Sequence, residues 1–404
     1  MKCLLTVICS LVLGTQAMSA PQAVLLGPDL EPVSVQLKSI SPEVIKVIDA
    51  VGQEKELKPE EVLRLTLASD TGTTPSPAQT RVVLRDGQVI VGDWAGGGGD
   101  GESISVSFGD TEQMVMLPLD EIMSIAMRSK AAVPAVDEDD VLLLANGEKL
   151  TGFLEWMGAE ALDFVVGDAD DPIKIPLERV AAVAVANKPK AAEAKPGTLR
   201  VTRIDGTVLL MQDATLTDRD DGGSDLSGLS ALSIEPKVGV NPGASIDSPS
   251  PVRFPMSDVV GIEPLSKKTR LVSLSGRSLS VLDGGEVFGV AMKPSVTGDG
   301  AIKLHAPVKL GFDLPKGASR LAFTVEMDLD ARVPDARRSM AGCELIVYSG
   351  DTAVAKHTLT PDGPPKRINV PLASGDLRIA LEPGINGPVL DRVILTQAEL
   401  LVSE

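Results

Sequence analysis

The chain is short of the residue types on which most enzyme chemistry depends. Two histidines, His305 and His357, and three cysteines, Cys3, Cys9 and Cys343, are all that its 404 residues contain. A Ser-His-Asp or Cys-His nucleophile needs a base held by an orienting group, and histidine metal sites need two or three imidazoles converging. Neither histidine stands in a Cys/His cluster or a helix-spaced pair, so the sequence assigns no catalytic residue, no metal ligand and no cofactor. Aromatics are scarce too, at two Trp, one Tyr and seven Phe, which leaves few stacking platforms. No basic block offsets a net charge of −18, and such a field repels phosphate backbones, which argues against nucleic acid as a partner.

What is present begins with an export signal over residues 1–20. Lys2 supplies the n-region charge, and Leu4–Gly14 is an apolar run shorter than the roughly 20 residues of a spanning helix. Thr15 and Ala17 suit cleavage after Ala17, whereas cleavage after Ala20 would place Pro21 just beyond the bond. The expectation is an exported protein, in the periplasm, cell envelope or extracellular space, with no membrane insertion after cleavage. Only Cys343 would survive processing, so no intramolecular disulfide can form.

Self-similarity organises the first two-thirds of the chain. Val82–Gly92 (VVLRDGQVIVG), Leu142–Gly152 (LLLANGEKLTG) and Val201–Met211 (VTRIDGTVLLM) each run through Asp-Gly or Asn-Gly into renewed alternation, the signature of a β-hairpin. Each has a later companion, Leu117–Ile125, Ile175–Val183 and Phe254–Ile262, reading apolar, Pro, apolar, polar, then a short apolar strand. Proline ends a strand because it cannot donate to the ladder, so a strand, one tight turn and a closing strand are expected. A degenerate copy precedes these, with Gly27-Pro28-Asp29 as its turn and Leu57–Leu65 as its close, Pro59 falling one place late. Units of this length predict small SH3-like or Sm-like barrels at 21–69, 81–128, 141–186 and 198–266, the last with an acidic insertion. Linkers at 70–80, 129–140 and 187–197, rich in Ala, Pro, Lys and Thr, favour beads over a propeller.

From about residue 270 to 404 the repeat disappears, and seven or eight short alternating runs predict a jelly-roll-type β-sandwich. The fold class is therefore all-β: four tandem small β-barrel repeats followed by a C-terminal jelly-roll-type sandwich. The order of four stretches, Ser295–Gly298 leading to Ile302–His305, Val308–Ala322, Cys343–Ser349, and Leu377–Leu381 before Pro388–Leu395, resembles the NPCBM family, the "novel putative carbohydrate-binding module". That family usually has a glycine-rich segment ending in His-Ser where Leu304-His305-Ala306-Pro307 stands here, and an aromatic after the late Asp, where Asp391 is followed by Arg392. The resemblance implies a sandwich that contacts a glycan, with His305 and Asp391 as candidate contacts.

Trp94 and Trp156, which follow the repeat glycines Gly92 and Gly152, are the remaining ligand-binding candidates, since Trp rings stack on sugars or grip peptides. The competing role for both is filling a barrel core. Cys343 opens an apolar strand and reads as a buried thiol. The acidic stretch Asp218–Asp225 has Gly222 and Leu229 where a calcium loop needs ligands, and reads as a plain loop. The expected function is non-enzymatic binding or scaffolding with a glycan or a cell-envelope protein as partner. A purely structural envelope protein and, more remotely, a hydrolase are the alternatives.

Overall fold

The computed structural model describes residues 20–403 apart from 69–75, 77, 98–101, 109–112, 168, 170, 193–194, 220–222, 231, 237–250, 266–267, 298–299, 330–334, 374–375 and 389. The expected export signal, apart from its last residue, Ala20, lies outside them. No helix among the described residues is long and apolar enough to cross a membrane.

Four units of one design fill residues 22–264. The first holds β1 (Gln22–Leu26), β2 (Pro32–Ile40), β3 (Ile45–Asp49), β4 (Glu54–Leu57) and β5 (Arg64–Leu67). The second holds β6 (Thr80–Leu84), β7 (Val89–Gly97), β8 (Ser103–Ser107), β9 (Gln113–Pro118) and β10 (Ile122–Ala126). The third holds β11 (Asp140–Leu144), β12 (Lys149–Met157), β13 (Ala161–Val166), β14 (Ile173–Pro176) and β15 (Val180–Ala184). The fourth holds β16 (Leu199–Arg203), β17 (Val208–Asp218), β18 (Ser224–Ser230), an inserted β19 (Ser233–Pro236), β20 (Pro251–Pro255) and β21 (Val259–Pro264).

Local chemistry explains each unit. Gly87, Gly147 and Gly206 take φ of +82°, +89° and +87° at the hairpin turns, a conformation that a side chain would strain. One 3₁₀ turn precedes every closing strand, at Pro59–Glu61, Leu119–Glu121, Leu177–Arg179 and Met256–Asp258. The first strand pairs on one side with the second strand and on the other with the closing strand.

Small SH3-like or Sm-like barrels were expected; among the described residues no closed barrel is present. Among the described residues no strand register pairs a fourth strand with its own closing strand, so each unit is an open sheet. The free edge of the closing strand is taken by another unit instead. Leu65 of β5 lies opposite Ile262 of β21, and Ile125 of β10 lies opposite Val183 of β15. These four are the equivalent last apolar positions of the repeat, and all four are fully buried. A third junction joins the second and fourth units at their hairpins, where Val89 pairs with Val208. Gln88 Oε1 accepts the Leu210 N–H at 2.8 Å, and Thr207 Oγ1 accepts the Val91 N–H at 3.2 Å. Gln88 and Thr207 are equivalent positions, as are Val91 and Leu210, so this exchange is reciprocal about a local two-fold. The units thus join in the order first, fourth, second, third, and one continuous apolar core runs through them. Beads on linkers are replaced by a fused array, because open edges cannot be left unpaired next to one another.

The C-terminal region is a two-sheet sandwich. It comprises β22 (Thr269–Ser273), β23 (Leu279–Gly284), β24 (Glu286–Val287), β25 (Val290–Ala291), β26 (Ser295–Val296), β27 (Ile302–His305) and β28 (Val308–Phe312), then β29 (Ala318–Met327), β30 (Cys343–Ser349), β31 (Thr352–Leu359), β32 (Lys366–Pro371), β33 (Leu377–Pro383) and β34 (Arg392–Ser403). One sheet runs β26-β27-β34-β29-β32 with β22 also on β34; the other runs β23-β28-β33-β30-β31. From β27 to β30 consecutive strands alternate between the sheets, as in a jelly roll. A separate core of Leu, Ile, Val and Phe fills the space between them.

The two regions meet at a small apolar cluster of Leu26, Leu30, Leu63, Ala322 and Leu401. Arg64 of the first unit spans the junction, donating to Glu263 at 2.6 Å and to Glu399 of the sandwich at 2.5 Å.

Candidate functional site

The residues singled out on the sandwich lie inside it. His305 ends β27 and is buried, its Nδ1 2.7 Å from the Ala306 carbonyl oxygen. Asp391 has no exposed surface. Its Oδ1 accepts the Gly342 N–H and its Oδ2 the Gly384 N–H, each at 2.9 Å, while its carbonyl accepts the Ala306 N–H. A carboxylate with both oxygens engaged by backbone donors is a strut between loops, and the geometry gives Asp391 no free oxygen directed to solvent. Cys343 sits nearby, buried; desolvation and then the charge of Asp391 push its thiol up to about 12, so it stays protonated.

The tryptophans line the junction between the second and third units. Trp94, on β7, packs half-buried on the repeat core and donates its indole N–H to the Ala159 carbonyl at 3.3 Å. It borders a groove of about 590 Å³ with Met127, Arg128, Lys130 and Leu177. Trp156, on β12, lies across Gly158, where a Cβ would stand 1.9 Å from the ring. The Lys174 ammonium is 5.6 Å from the Trp156 ring centre. Trp94 therefore seals one repeat against the next, and Trp156 is held between a glycine and a lysine.

A further cluster, with neither Trp nor His in it, lies on the outer face of the sheet β23-β28-β33-β30-β31. Its register sets Ser280, Gly311, Arg378, Tyr348 and Ala353 in one cross-strand row, and Asp283, Lys309, Ala380, Ile346 and Lys356 in the next. Tyr348 is the chain's single tyrosine. The Lys309 ammonium stands 5.3 Å and the Arg378 guanidinium 5.6 Å from the centre of its ring. Arg378 is fixed by the Gly350 carbonyl and by Asp351 at 2.7 Å, and its Nε is buried without a partner. The Tyr348 hydroxyl makes no hydrogen bond to the described residues. Alanine at 380 and 353 adds little bulk to the floor, and the Leu282 side chain lies over Gly311. Together these residues offer one aromatic ring, two cations and flanking carboxylates on a rigid sheet, and alternation along Cys343–Ser349 places Glu344, Ile346 and Tyr348 on one face.

Among the described residues no group of three or more His, Cys, Asp or Glu side chains is placed to hold a metal ion.

No family model matches the chain, and no curated protein matches it. Several solved structures are similar in part. The CBM51-2 and INT domains of Clostridium perfringens ZmpB, in complex with GlcNAc, are 12% identical over 48% of this chain and 38% of theirs, with a TM-score of 0.26. The CBM51 of C. perfringens GH95, in complex with methyl-galactose, is 20% identical over 32% of this chain and 99% of its own, with a TM-score of 0.24. The tandem CBM51 modules of Sp3GH98 from Streptococcus pneumoniae SP3-BS71 are 10% identical over 89% of this chain and 88% of theirs, with a TM-score of 0.25. TM-scores at this level do not amount to a shared whole-chain fold.

Proposed function

We propose that the chain is an exported, non-enzymatic binding protein whose C-terminal sandwich, of the NPCBM type that its order of strands resembles, contacts a glycan through the Tyr348 face. The observation that carries this reading is the Tyr348 ring on an outer sheet surface, with the Lys309 ammonium and the Arg378 guanidinium over it at cation–π distance. The C–H face of a pyranose is apolar and its rim is a ring of hydroxyls, so an aromatic ring and charged hydrogen-bonding groups brought together on one surface suit both. Asp351, Glu344 and Asp283 would accept from sugar hydroxyls, and Lys309 and Arg378 would donate. The four repeats, as modules within their expected boundaries, serve as a rigid support and a second contact surface.

One observation favours an assembly role alongside this. The repeat already recognises the edges of its own kind at three junctions, so its design suits strand-edge contacts with envelope proteins.

A glycan array and an envelope-polysaccharide pull-down with the full chain test the proposal. Retention is expected, and Tyr348→Ala is expected to weaken it about tenfold, a typical loss for a central aromatic anchor. Retention on no glycan, or equal retention by the variant, would overturn the assignment.

A further inference from the structure

A groove in the array belongs to no part of that reading. It lies between the second and third units, encloses about 950 Å³, and has its walls on the end of β9, the 3₁₀ turn after Pro118, strand β12 and the chain leaving β15. Its floor is apolar, from Pro118, Leu119, Phe153 and Val185. Phe153 is 61% exposed, in a molecule whose Phe108, Phe164, Phe254 and Phe323 are fully buried. Phe288, in the loop after β24, is also exposed, but Phe153 stands on a regular strand inside the groove, where it forgoes the burial that those four obtain, roughly 2 kcal/mol or more, so its position calls for a partner.

The rim sets the sign of that partner. Glu102, Asp120, Glu138, Asp139 and Glu155 border the groove, and among the described residues no Lys or Arg does. Asp120, Glu138, Asp139 and Glu155 are exposed and form no salt bridge among the described residues, whereas Asp140 beside them is already spent on the N–H groups of Leu154 and Ala186. The surrounding sequence deepens the field: residues 81–187 hold 20 Asp and Glu against 7 Lys and Arg. The walls are preformed, because Asn187 donates to the carbonyls of Leu119 at 3.1 Å and Ile122 at 2.7 Å and so ties one unit to the next. The groove is open to solvent along its length, and its size is at the upper end of the roughly 300–1,000 Å³ of small-molecule pockets.

We infer that this groove docks a basic peptide segment of a partner protein, whose Lys or Arg side chains meet the acidic rim while an apolar side chain rests on Phe153. The chemistry is charge complementarity over an apolar floor, with the phenyl also facing cations through its ring. Two repeats are needed to make it, so it is a property of the array and not of one unit. It is independent of glycan binding at the sandwich.

The test uses the full chain and a fluorescein-labelled peptide of alternating Lys and Leu, twelve residues long, followed by anisotropy at ~0.15 M salt, where surface fields are screened beyond about 8 Å. The same peptide with Glu for Lys is the charge control. Saturable binding of the Lys peptide alone is expected. Phe153→Ala, and separately the combined Asp120→Asn, Glu138→Gln, Asp139→Asn variant, should each weaken it about tenfold. The combined Glu43→Gln, Glu60→Gln, Asp362→Asn variant removes three exposed carboxylates elsewhere and should change it less than about twofold. Phe153 and the substituted acids are exposed, so all variants should keep the parent melting curve. Absence of binding, an unchanged affinity in Phe153→Ala, or equal weakening by both charge variants would overturn the proposal.

Discussion

The four repeats and the sandwich are both antiparallel β-structure throughout, yet they deal with exposed strand edges in opposite ways. In the repeats each closing strand gives its outer edge to an equivalent strand of another unit, so edge pairing builds the array. In the sandwich two sheets stack face to face over a private core, and a polar outer face is left free. Charge follows the same division. Residues 81–187 are strongly acidic, whereas residues 269–404 hold 16 acidic against 15 basic residues. The difference teaches that the repeats keep like-charged surface outside while their edges are consumed internally, and that the near-neutral sandwich can place cations beside Tyr348 without fighting a global field.

Because the cores are separate and joined by a small cluster, Arg64 and polar contacts from Arg367 and Asn369 to the Asp29–Glu31 turn, damage to one region should leave the other standing. The largest effect is expected from Asp391→Ala, which leaves the N–H groups of Gly342 and Gly384 without their acceptor. At about 1–3 kcal/mol for each buried donor, the sandwich should lose about 3–5 kcal/mol, read as a lowered sandwich transition in calorimetry with the repeat transition in place. Gln88→Leu breaks the comparison from the other side. It strips the acceptor from the buried Leu210 N–H, and the repeat transition should fall by about 1–3 kcal/mol while the sandwich is untouched. If both transitions move together in either variant, the two regions are a single cooperative unit.

Cys343 gives the smallest, purely chemical signal. Its thiol, pushed up to about 12, is neutral and buried at pH 8, so alkylation by iodoacetamide should be negligible in the folded chain and rapid after denaturation. Since the folded thiol holds its proton more tightly than an unfolded one near 8.5, this group costs the sandwich no stability below that pH and weakens it progressively above. Rapid alkylation of the folded chain would show that the sandwich core opens locally.

Much of this was legible where the information is local. The Asp-Gly and Asn-Gly turns and the proline before each closing strand mark their elements because backbone conformation is set by the residues themselves. The array was not legible, since Gln88 and Thr207 read as ordinary turn residues until strand pairing brings positions 119 apart into register. At the equivalent place the third unit has Glu148 and Lys149, exposed and charged, which ends the array there. Asp391 looked like a ligand contact because its two backbone donors, Gly342 and Gly384, come from other loops. Tyr348 was passed over for the opposite reason, as its partners Lys309 and Arg378 come from two other strands and only the sheet register assembles them.

The central claim is that sugar recognition belongs to the sandwich and not to the repeats. Titrating one retained glycan against the full chain, Tyr348→Ala and Phe153→Ala tests it most directly. The account predicts a loss of about tenfold for Tyr348→Ala and parent affinity for Phe153→Ala. Parent affinity in Tyr348→Ala together with a loss in Phe153→Ala would contradict it and move glycan binding to the acidic groove.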